Sequence, residues 1–215
     1  MSRMQSPSGI VAIVRLRNHV PTDDLLLAVT TGGIQNIEIT MGTPDSLQTV
    51  ARWRGMSAAQ VGVGTVRTDD DARRAIASGA QFLVTPTTVP TVLAIARDAQ
   101  IPVICGALTP TEIDHAWQLG AAAVKIFPVN SLGGADYVKS LQGPLPDISF
   151  VPTGGIDAST AKVYAALGCA GVGVGSPLIG EDIVSSGDWN GLEARAAEFA
   201  DAWKDGASRP VGWMP

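Results

Sequence analysis

The sequence is poor in the residues that build metal sites and disulfide frameworks. It contains two cysteines, Cys105 and Cys169, and two histidines, His19 and His115. The cysteines lie far apart within apolar stretches, which is typical of reduced core residues rather than of a disulfide or a metal pair. Neither histidine has a second histidine or a cysteine nearby, whereas a zinc site needs several clustered ligands. We therefore predict no metal, and we interpret both histidines as surface or packing residues.

Long apolar runs and clusters of positive charge are also absent. No run approaches the roughly 18 residues that a membrane span needs, and the opening segment MSRMQSPSG lacks the apolar stretch of a signal peptide. The 215 residues include 20 acidic and 15 basic side chains, a formal net charge of -5, with no basic stripe that would fit a nucleic acid. We expect a cytoplasmic protein with neither a membrane nor a nucleic-acid partner.

What the sequence does contain is a repeat of short apolar runs, each followed by a longer stretch with helical spacing. Hydrophobic residues make up 46% of the chain, enough for one packed core. The runs are Ile10–Val14, Ile34–Thr40, Gln60–Val66, Phe82–Thr85, Ile101–Cys105, Ala121–Phe127, Ile148–Pro152 and Ala170–Gly175. Strands that are apolar throughout are typical of a parallel sheet covered by helices on its outer face.

Eight such units predict a single-domain (β/α)8 barrel over residues 1–204, with residues 205–215 as a tail outside it. An open doubly wound sheet is the alternative, but the first strand and turn, IVAIVRLRNHV, lack its early glycine fingerprint. Four of the helical stretches are Thr22–Thr31, Asp69–Ser78, Val89–Ala99 and Thr109–Leu119. The glycines expected to end helices in a left-handed conformation are Gly32, Gly79, Gly120 and Gly168.

A lysine within an apolar run is the sharpest chemical signal. The chain has only four lysines, and Lys125 alone lies in an apolar segment, AAAVKIFPV. Burial favours the neutral amine, which is a nucleophile toward carbonyl carbon and the basis of Schiff-base catalysis. The alternative is a lysine at a strand end that reaches solvent or pairs with a carboxylate.

Glu38, in the strand segment NIEIT, is the second signal. An acid and a lysine on separate inner strands can face each other across a barrel, and a carboxylate linked to a water molecule can move the protons that Schiff-base chemistry requires. Alternatively, Glu38 only neutralises Lys125 or Arg15 inside the barrel.

The active site of such a barrel lies at the carboxyl ends of its strands. Arg15, Thr65, Thr85 and Thr153 each end an apolar run, so one guanidinium and three hydroxyls are expected around one mouth. An arginine fork suits a carboxylate, whereas strand propensity explains each threonine taken singly equally well.

Two pairs after the last two strands, Gly154-Gly155 and Gly175-Ser176, suggest a phosphate site. The loops that follow strands seven and eight of these barrels often hold phosphate through backbone N–H groups. Tight turns alone would also explain the glycines. Phe127, two positions after Lys125, fits either a wall of the pocket or the core.

Several motifs in order resemble the class I aldolases that act on 2-keto-3-deoxy-6-phosphogluconate (KDPG) and 4-hydroxy-2-oxoglutarate (KHG). The similar segments, from about residue 9 to residue 180, are IVAIVR, GGIQNIEITMGTP, VGVGTV, FLVTP, IPVICGALTPTEI, VKIFPVNSLGGADYVKSL, PTGGI and GVGVGSPL. The resemblance implies a homotrimeric (β/α)8 barrel that needs no cofactor. It makes Lys125 the Schiff-base lysine and Glu38 the general acid and base. It implies that Thr65 and Thr153 contact the pyruvate part, that Phe127 is the aromatic residue that follows the lysine, and that Gly154, Gly155 and Ser176 belong to the phosphate-binding loops.

One departure leaves the sugar acid open. Gluconate-type enzymes commonly have an arginine four positions after the glutamate, where this chain has Gly42. Arg15 and the KIFPVN segment are closer to the branch acting on 2-keto-3-deoxy-6-phosphogalactonate, so Arg15 is the candidate ligand of the substrate carboxylate. The expected products are pyruvate and D-glyceraldehyde 3-phosphate, or pyruvate and glyoxylate from 4-hydroxy-2-oxoglutarate. The alternatives are a sugar-phosphate isomerase or epimerase, and a non-catalytic barrel that binds a phosphate ligand.

Overall fold

A computed structural model describes residues 3–209 of the chain. Eight strands alternate with helices along it. The strands are β1 Gly9–Val14, β2 Asn36–Thr40, β3 Gln60–Gly64, β4 Leu83–Val84, β5 Val103–Ala107, β6 Ala123–Ile126, β7 Phe150–Pro152 and β8 Gly171–Val174. The helices are α1 Asp23–Thr31, α2 Ser46–Trp53, α3 Asp69–Ala77, α4 Pro90–Asp98, α5 Pro110–Gln118, α6 Ala135–Gln142, α7 Ala158–Ala166, α8 Glu181–Ser186 and α9 Trp189–Ala207, with a 3-10 helix at Val129–Leu132.

All eight strands are parallel and follow one another around a ring, in the order β7-β6-β5-β4-β3-β2-β1-β8. A bridge between Thr153 and Gly173 joins the ends of β7 and β8 and nearly closes the ring. The predicted single-domain (β/α)8 barrel is therefore confirmed, and the open doubly wound sheet is wrong.

Several helix ends follow local sequence signals. Thr68, Thr109 and Asp157 each accept the backbone N–H of the third helical residue in a reciprocal capping box. Three of the four predicted glycines have positive φ values, but the prediction for Gly32 is wrong, because its φ is -68° and Gly33 takes the left-handed conformation at 93°. Gly32 instead packs against α9, where a Cβ would lie 2.5 Å from that of Ala196.

The barrel interior is apolar below and polar above. Its lower part is filled by Val11, Phe82, Val84, Ile104, Ala123 and Val151, which form one cluster. Side chains alternate along a strand, so the inward position after Ala123 is Lys125 and the one after Val151 is Thr153. The apolar layer thus forms a floor beneath the polar groups at the carboxyl ends of the strands.

The remaining features lie outside the barrel mouth. Helix α9 packs against α1 and α7 and includes the first three residues of the predicted 205–215 tail, while residues 210–215 lie outside the described residues.

Both cysteines are buried and free. Within residues 3–209, no helix combines the length and apolar character needed to cross a membrane, and no three histidine, cysteine or acidic side chains are grouped closely enough to hold a metal ion.

Candidate active site

A cavity of about 200 Å³ opens at the carboxyl ends of β1, β6, β7 and β8. It brings together eight of the eleven predicted site residues, whereas Glu38, Thr65 and Thr85 are not among the residues that line it. The residues that line it are Ile13, Arg15, Lys125, Phe127, Thr153, Gly154, Gly155, Gly173, Gly175, Ser176 and Pro177. Its position is the one at which (β/α)8 barrels carry their active sites.

Lys125 lies on β6, between Gly106 of β5 and Val151 of β7. Its side chain lines the cavity, yet the residue is only 5% exposed. Within residues 3–209 it forms no ion pair, so the alternative of a lysine that is neutralised by a carboxylate does not describe the structure. Its Nζ atom lies 5.4 Å from the centre of the Phe127 ring. Phe127, which is 39% exposed, is therefore a wall of the cavity rather than part of the core.

Glu38 lies on β2 between Ile13 of β1 and Gly62 of β3, and it is 1% exposed. It forms no direct ion pair with Lys125 or Arg15 within the described residues. Its Oε1 atom is buried without a hydrogen-bond partner among the described residues. A role in catalysis or a hydrogen bond to water is a physical explanation of such an oxygen.

Arg15 and Thr65 meet at the mouth. The Arg15 Nη2 donates to Thr65 Oγ1 at 3.4 Å, and the guanidinium is otherwise exposed and forms no ion pair within the described part of the chain. The backbone of Thr65 has a φ of 60°, which is uncommon for a β-branched residue. Arg15 is thus free to bind an anion.

The other two threonines differ in their surroundings. Thr153 lines the cavity, and its hydroxyl donates to the carbonyl of Val151 at 3.3 Å. Thr85 is fully buried, its hydroxyl accepts the Gly106 N–H at 3.2 Å, and it is not among the residues that line the cavity. The structure therefore places Thr65 and Thr153 at the mouth and Thr85 between β4 and β5.

The predicted phosphate loops lie side by side. Gly154 and Gly155 have φ values of 108° and 70°, and the Asn130 side chain donates to the Gly155 carbonyl at 2.9 Å. Sequence reasoning did not select Asn130. Its place in the KIFPVN segment, at the start of a 3-10 helix after β6, was the available signal.

The histidines lie away from the cavity lining. His115 is exposed on α5. His19 Nδ1 is 2.6 Å from Glu181 Oε2, and Glu181 also accepts the backbone N–H groups of Arg17 and Asn18. These hydrogen bonds lower the pKa of the Glu181 carboxyl. They tie the loop after β1 to the first turn of α8.

Comparison with known proteins agrees with this geometry. The model of the KDPG and KHG aldolase family matches residues 2–195. The chain belongs to this family. Among its relatives, the 2-dehydro-3-deoxy-phosphogluconate aldolase of Treponema pallidum (strain Nichols) is 35% identical over 190 residues, which cover 86% of this chain and 87% of the relative.

Two solved structures extend the comparison. The one described as native KDPGal has a TM-score of 0.84 and 28% identity, and covers 96% of this aldolase-family chain and all of its own. KDPG aldolase from Legionella pneumophila, solved with pyruvate captured at low pH as a covalent carbinolamine intermediate, has a TM-score of 0.79 and 26% identity. It covers 90% of this chain and 94% of its own.

Proposed function

We propose that the protein is a class I aldolase, a carbon–carbon lyase in which Lys125 forms a Schiff base with a 2-keto-3-deoxy sugar acid. The observation that supports this most directly is a buried amine without a carboxylate partner, held at the cavity above an apolar floor. An amine in that environment is available as a nucleophile toward a ketone. Family membership supports the same chemistry.

The reaction begins when Lys125 Nζ adds to the C2 ketone and the carbinolamine loses water to give a protonated imine. Glu38, through a water molecule, takes the proton of the C4 hydroxyl. The C3–C4 bond then breaks, its electrons pass to the imine nitrogen as an enamine, and the aldehyde leaves. Protonation of the enamine at C3 and addition of water release pyruvate and restore the amine. The imine is the electron sink, so the proposed mechanism uses no cofactor.

Most of the proposed substrate contacts line the cavity, and Thr65 adjoins it through its hydrogen bond from Arg15. Arg15 binds the carboxylate with its planar fork, and Thr65, Thr153 and Phe127 surround the pyruvate part. Gly42 stands where gluconate-type relatives commonly have an arginine, so Arg15 is the arginine that we propose for the carboxylate. Thr85 supports β5 through Gly106 rather than contacting the substrate.

A 6-phosphate is held by backbone N–H groups of Gly154, Gly155, Gly175 and Ser176. We propose the 6-phosphorylated galactonate or gluconate derivative as substrate, cleaved to pyruvate and D-glyceraldehyde 3-phosphate. The cavity chemistry also suits 4-hydroxy-2-oxoglutarate, which lacks the phosphate and gives glyoxylate. Steady-state rates on the two sugar acids, each with and without phosphate, decide between them.

We further propose that three copies assemble into a homotrimer, as family membership suggests. Sedimentation equilibrium of the full chain is expected to give three times its 22.2 kDa mass. A monomer mass over the whole working concentration range would refute this assembly.

Borohydride reduction in the presence of pyruvate tests the covalent step. Peptide mass spectrometry is expected to find the reduced adduct on Lys125. Lys125→Ala should abolish adduct and turnover, whereas the exposed lysine variant Lys139→Ala should retain both. Glu38→Gln should still be trapped but turn over ~100-fold more slowly or worse, because general acid–base catalysis contributes about that much or more.

The remaining outcomes separate the alternatives. A label on another lysine refutes the assignment of Lys125. Failure of trapping together with turnover of a sugar phosphate indicates an isomerase or epimerase. Tight phosphate binding without either activity indicates a non-catalytic barrel.

A further inference from the structure

The inner face of β3 has no side chain at the height of the Glu38 carboxylate. Gly64 occupies that position, beside Thr40 of β2 in the register of the sheet. A Cβ added to Gly64 would lie within 2.5 Å of Glu38 Cγ and closer still to its Cδ and Oε1 atoms. The carboxylate therefore fills the space that any side chain at position 64 would need.

The backbone of Gly64 is held in place. Its carbonyl accepts the Met41 N–H at 2.9 Å, and the residue is part of the β2–β3 and β3–β4 ladders. Glu38 Oε1, in contrast, has no hydrogen-bond partner within the described residues. Packing against a fixed strand, rather than a hydrogen bond to the protein, thus sets where Oε1 lies.

We propose that Gly64 is a positioning residue for the reaction, because its missing side chain is what allows the Glu38 carboxylate to lie against β3 inside the barrel. The proposal rests on the proton-transfer role assigned to Glu38 above. Gly64 itself touches no reacting atom in this scheme and acts through Glu38.

The clash that alanine would cause has a predictable outcome. The atoms it meets belong to the end of a flexible side chain, so Glu38 can rotate away while the barrel keeps its fold. Gly62, one inward position earlier on β3, is different, because a Cβ there would lie 2.6 Å from the buried ring of Phe82. Alanine at 64 should therefore disturb the acid, and alanine at 62 should disturb the core.

Two measurements on the full-length Gly64→Ala protein separate these effects. Borohydride trapping of pyruvate reports imine formation at Lys125, and exchange of the pyruvate methyl protons in D2O, followed by NMR, reports proton transfer at C3. We expect trapping and the thermal midpoint to stay near the parent values. Exchange should slow ~100-fold, toward the rate of Glu38→Gln, since the displaced acid no longer reaches C3.

A double-mutant cycle with Glu38→Ala adds a readout that a merely structural glycine would not move. Alanine at position 38 lacks the Cγ, Cδ and Oε1 atoms that the new methyl at position 64 would meet. Gly64→Ala should therefore cost far less exchange rate in the Glu38→Ala background than in the parent, a non-additive result. Gly55→Ala, where a Cβ would meet nothing within 4 Å, is the control, and its effect should be the same in both backgrounds.

Exchange at the parent rate in stably folded Gly64→Ala would overturn the proposal, as would additive effects in the cycle. If Gly64→Ala alone does not fold, the Glu38→Ala/Gly64→Ala double variant is compared with Glu38→Ala. Equal exchange in the two supports the proposal, and an unfolded double variant overturns it. Failure of the proposed function looks different, because the parent would then not trap pyruvate, or Glu38→Gln would exchange at the parent rate.

Discussion

Thr65 combines a strained backbone with a functional position. Thr65 directly follows Gly64 and has a φ of 60°. Its hydroxyl accepts a hydrogen bond from Arg15. Non-glycine residues in this region cost about 1–3 kcal/mol and are found where the surroundings hold them, often at active sites. The strain here places the hydroxyl at the mouth beside the guanidinium.

Glycine at position 65 should therefore be more stable than alanine. Both variants lose the hydroxyl, but only glycine removes the Cβ that makes the left-handed conformation costly. We expect Thr65→Gly to unfold with a free energy about 1 kcal/mol higher than Thr65→Ala, measured by urea denaturation. Thr85, whose φ is not positive, is the control, and there the order should reverse. The same order at both positions would contradict the strain argument.

The site residues that could be predicted most directly from the sequence are charged residues whose neighbours in the chain are apolar. Lys125 and Glu38 are charged residues inside apolar runs, and the structure places both inside the barrel. The fit between Glu38 and Gly64 could not be predicted, because it depends on the register of two neighbouring strands. The burial of Thr85 was missed for a related reason, since the end of an apolar run does not show which strand end reaches the mouth.

At the level of elements, the loops at the mouth are held by side chains from other loops. Asn130, in the 3-10 helix after β6, donates to the Gly155 carbonyl of the loop after β7. A Cβ at Gly155 would overlap the Asn130 amide, so the two residues are packed as well as hydrogen-bonded. The phosphate loop thus depends on the segment that follows Lys125.

Asn130→Ala should weaken binding of phosphorylated substrates selectively. Loss of one hydrogen bond, worth about 1 kcal/mol, leaves the Gly155 N–H less well aimed, and KM for a 6-phosphorylated substrate should rise ~5-fold. KM for 4-hydroxy-2-oxoglutarate should not change, and neither should kcat. Gln142→Ala is the control, because it removes a similar hydrogen bond from a side-chain amide, to the Leu167 carbonyl at 2.7 Å, away from the cavity lining. This variant should leave both KM values unchanged. Equal rises for the two substrates would argue against a role at the phosphate.

Element order was predictable and element ends were less so. The eight apolar runs correspond to eight strands, yet β4 contains only two residues because the remaining residues of its run lie outside the ladder. The left-handed turn after α1 could not be assigned to one of two consecutive glycines, since the choice depends on α9, more than 150 residues away, packing on Gly32.

At the scale of the whole molecule, the distribution of acidic groups makes stability depend on pH. Hydrogen bonds or ion pairs lower the pKa of the carboxyl groups of Asp23, Glu112, Asp157, Glu181 and Asp205. Helix capping supplies the cause at Asp157, whose carboxylate accepts the Thr160 N–H at 2.8 Å. Each such group binds protons less readily in the folded chain than in the unfolded chain.

The free energy of unfolding should therefore fall as the solution is acidified. The unfolded chain takes up more protons, so the contribution of these groups is complete above the ordinary carboxyl values of 3.8 and 4.5 and is lost as the pH falls below them. Urea denaturation at pH 7, 5, 4 and 3 would measure it. Asp157→Asn, which still caps α7, should make the decline shallower, and an identical decline would show that this carboxyl contributes nothing.

The ring of strands has a weak junction between β7 and β8, and this junction borders the cavity. Between β7 and β8, the described backbone is joined by the Ala170 N–H on the Phe150 carbonyl and by the Thr153–Gly173 bridge. A ligand bound by the loops after β7 and β8 would connect these two strands to each other. Ligand binding would then stabilise the barrel between β7 and β8. This effect would add to the mass-action stabilisation that any ligand of the native state provides.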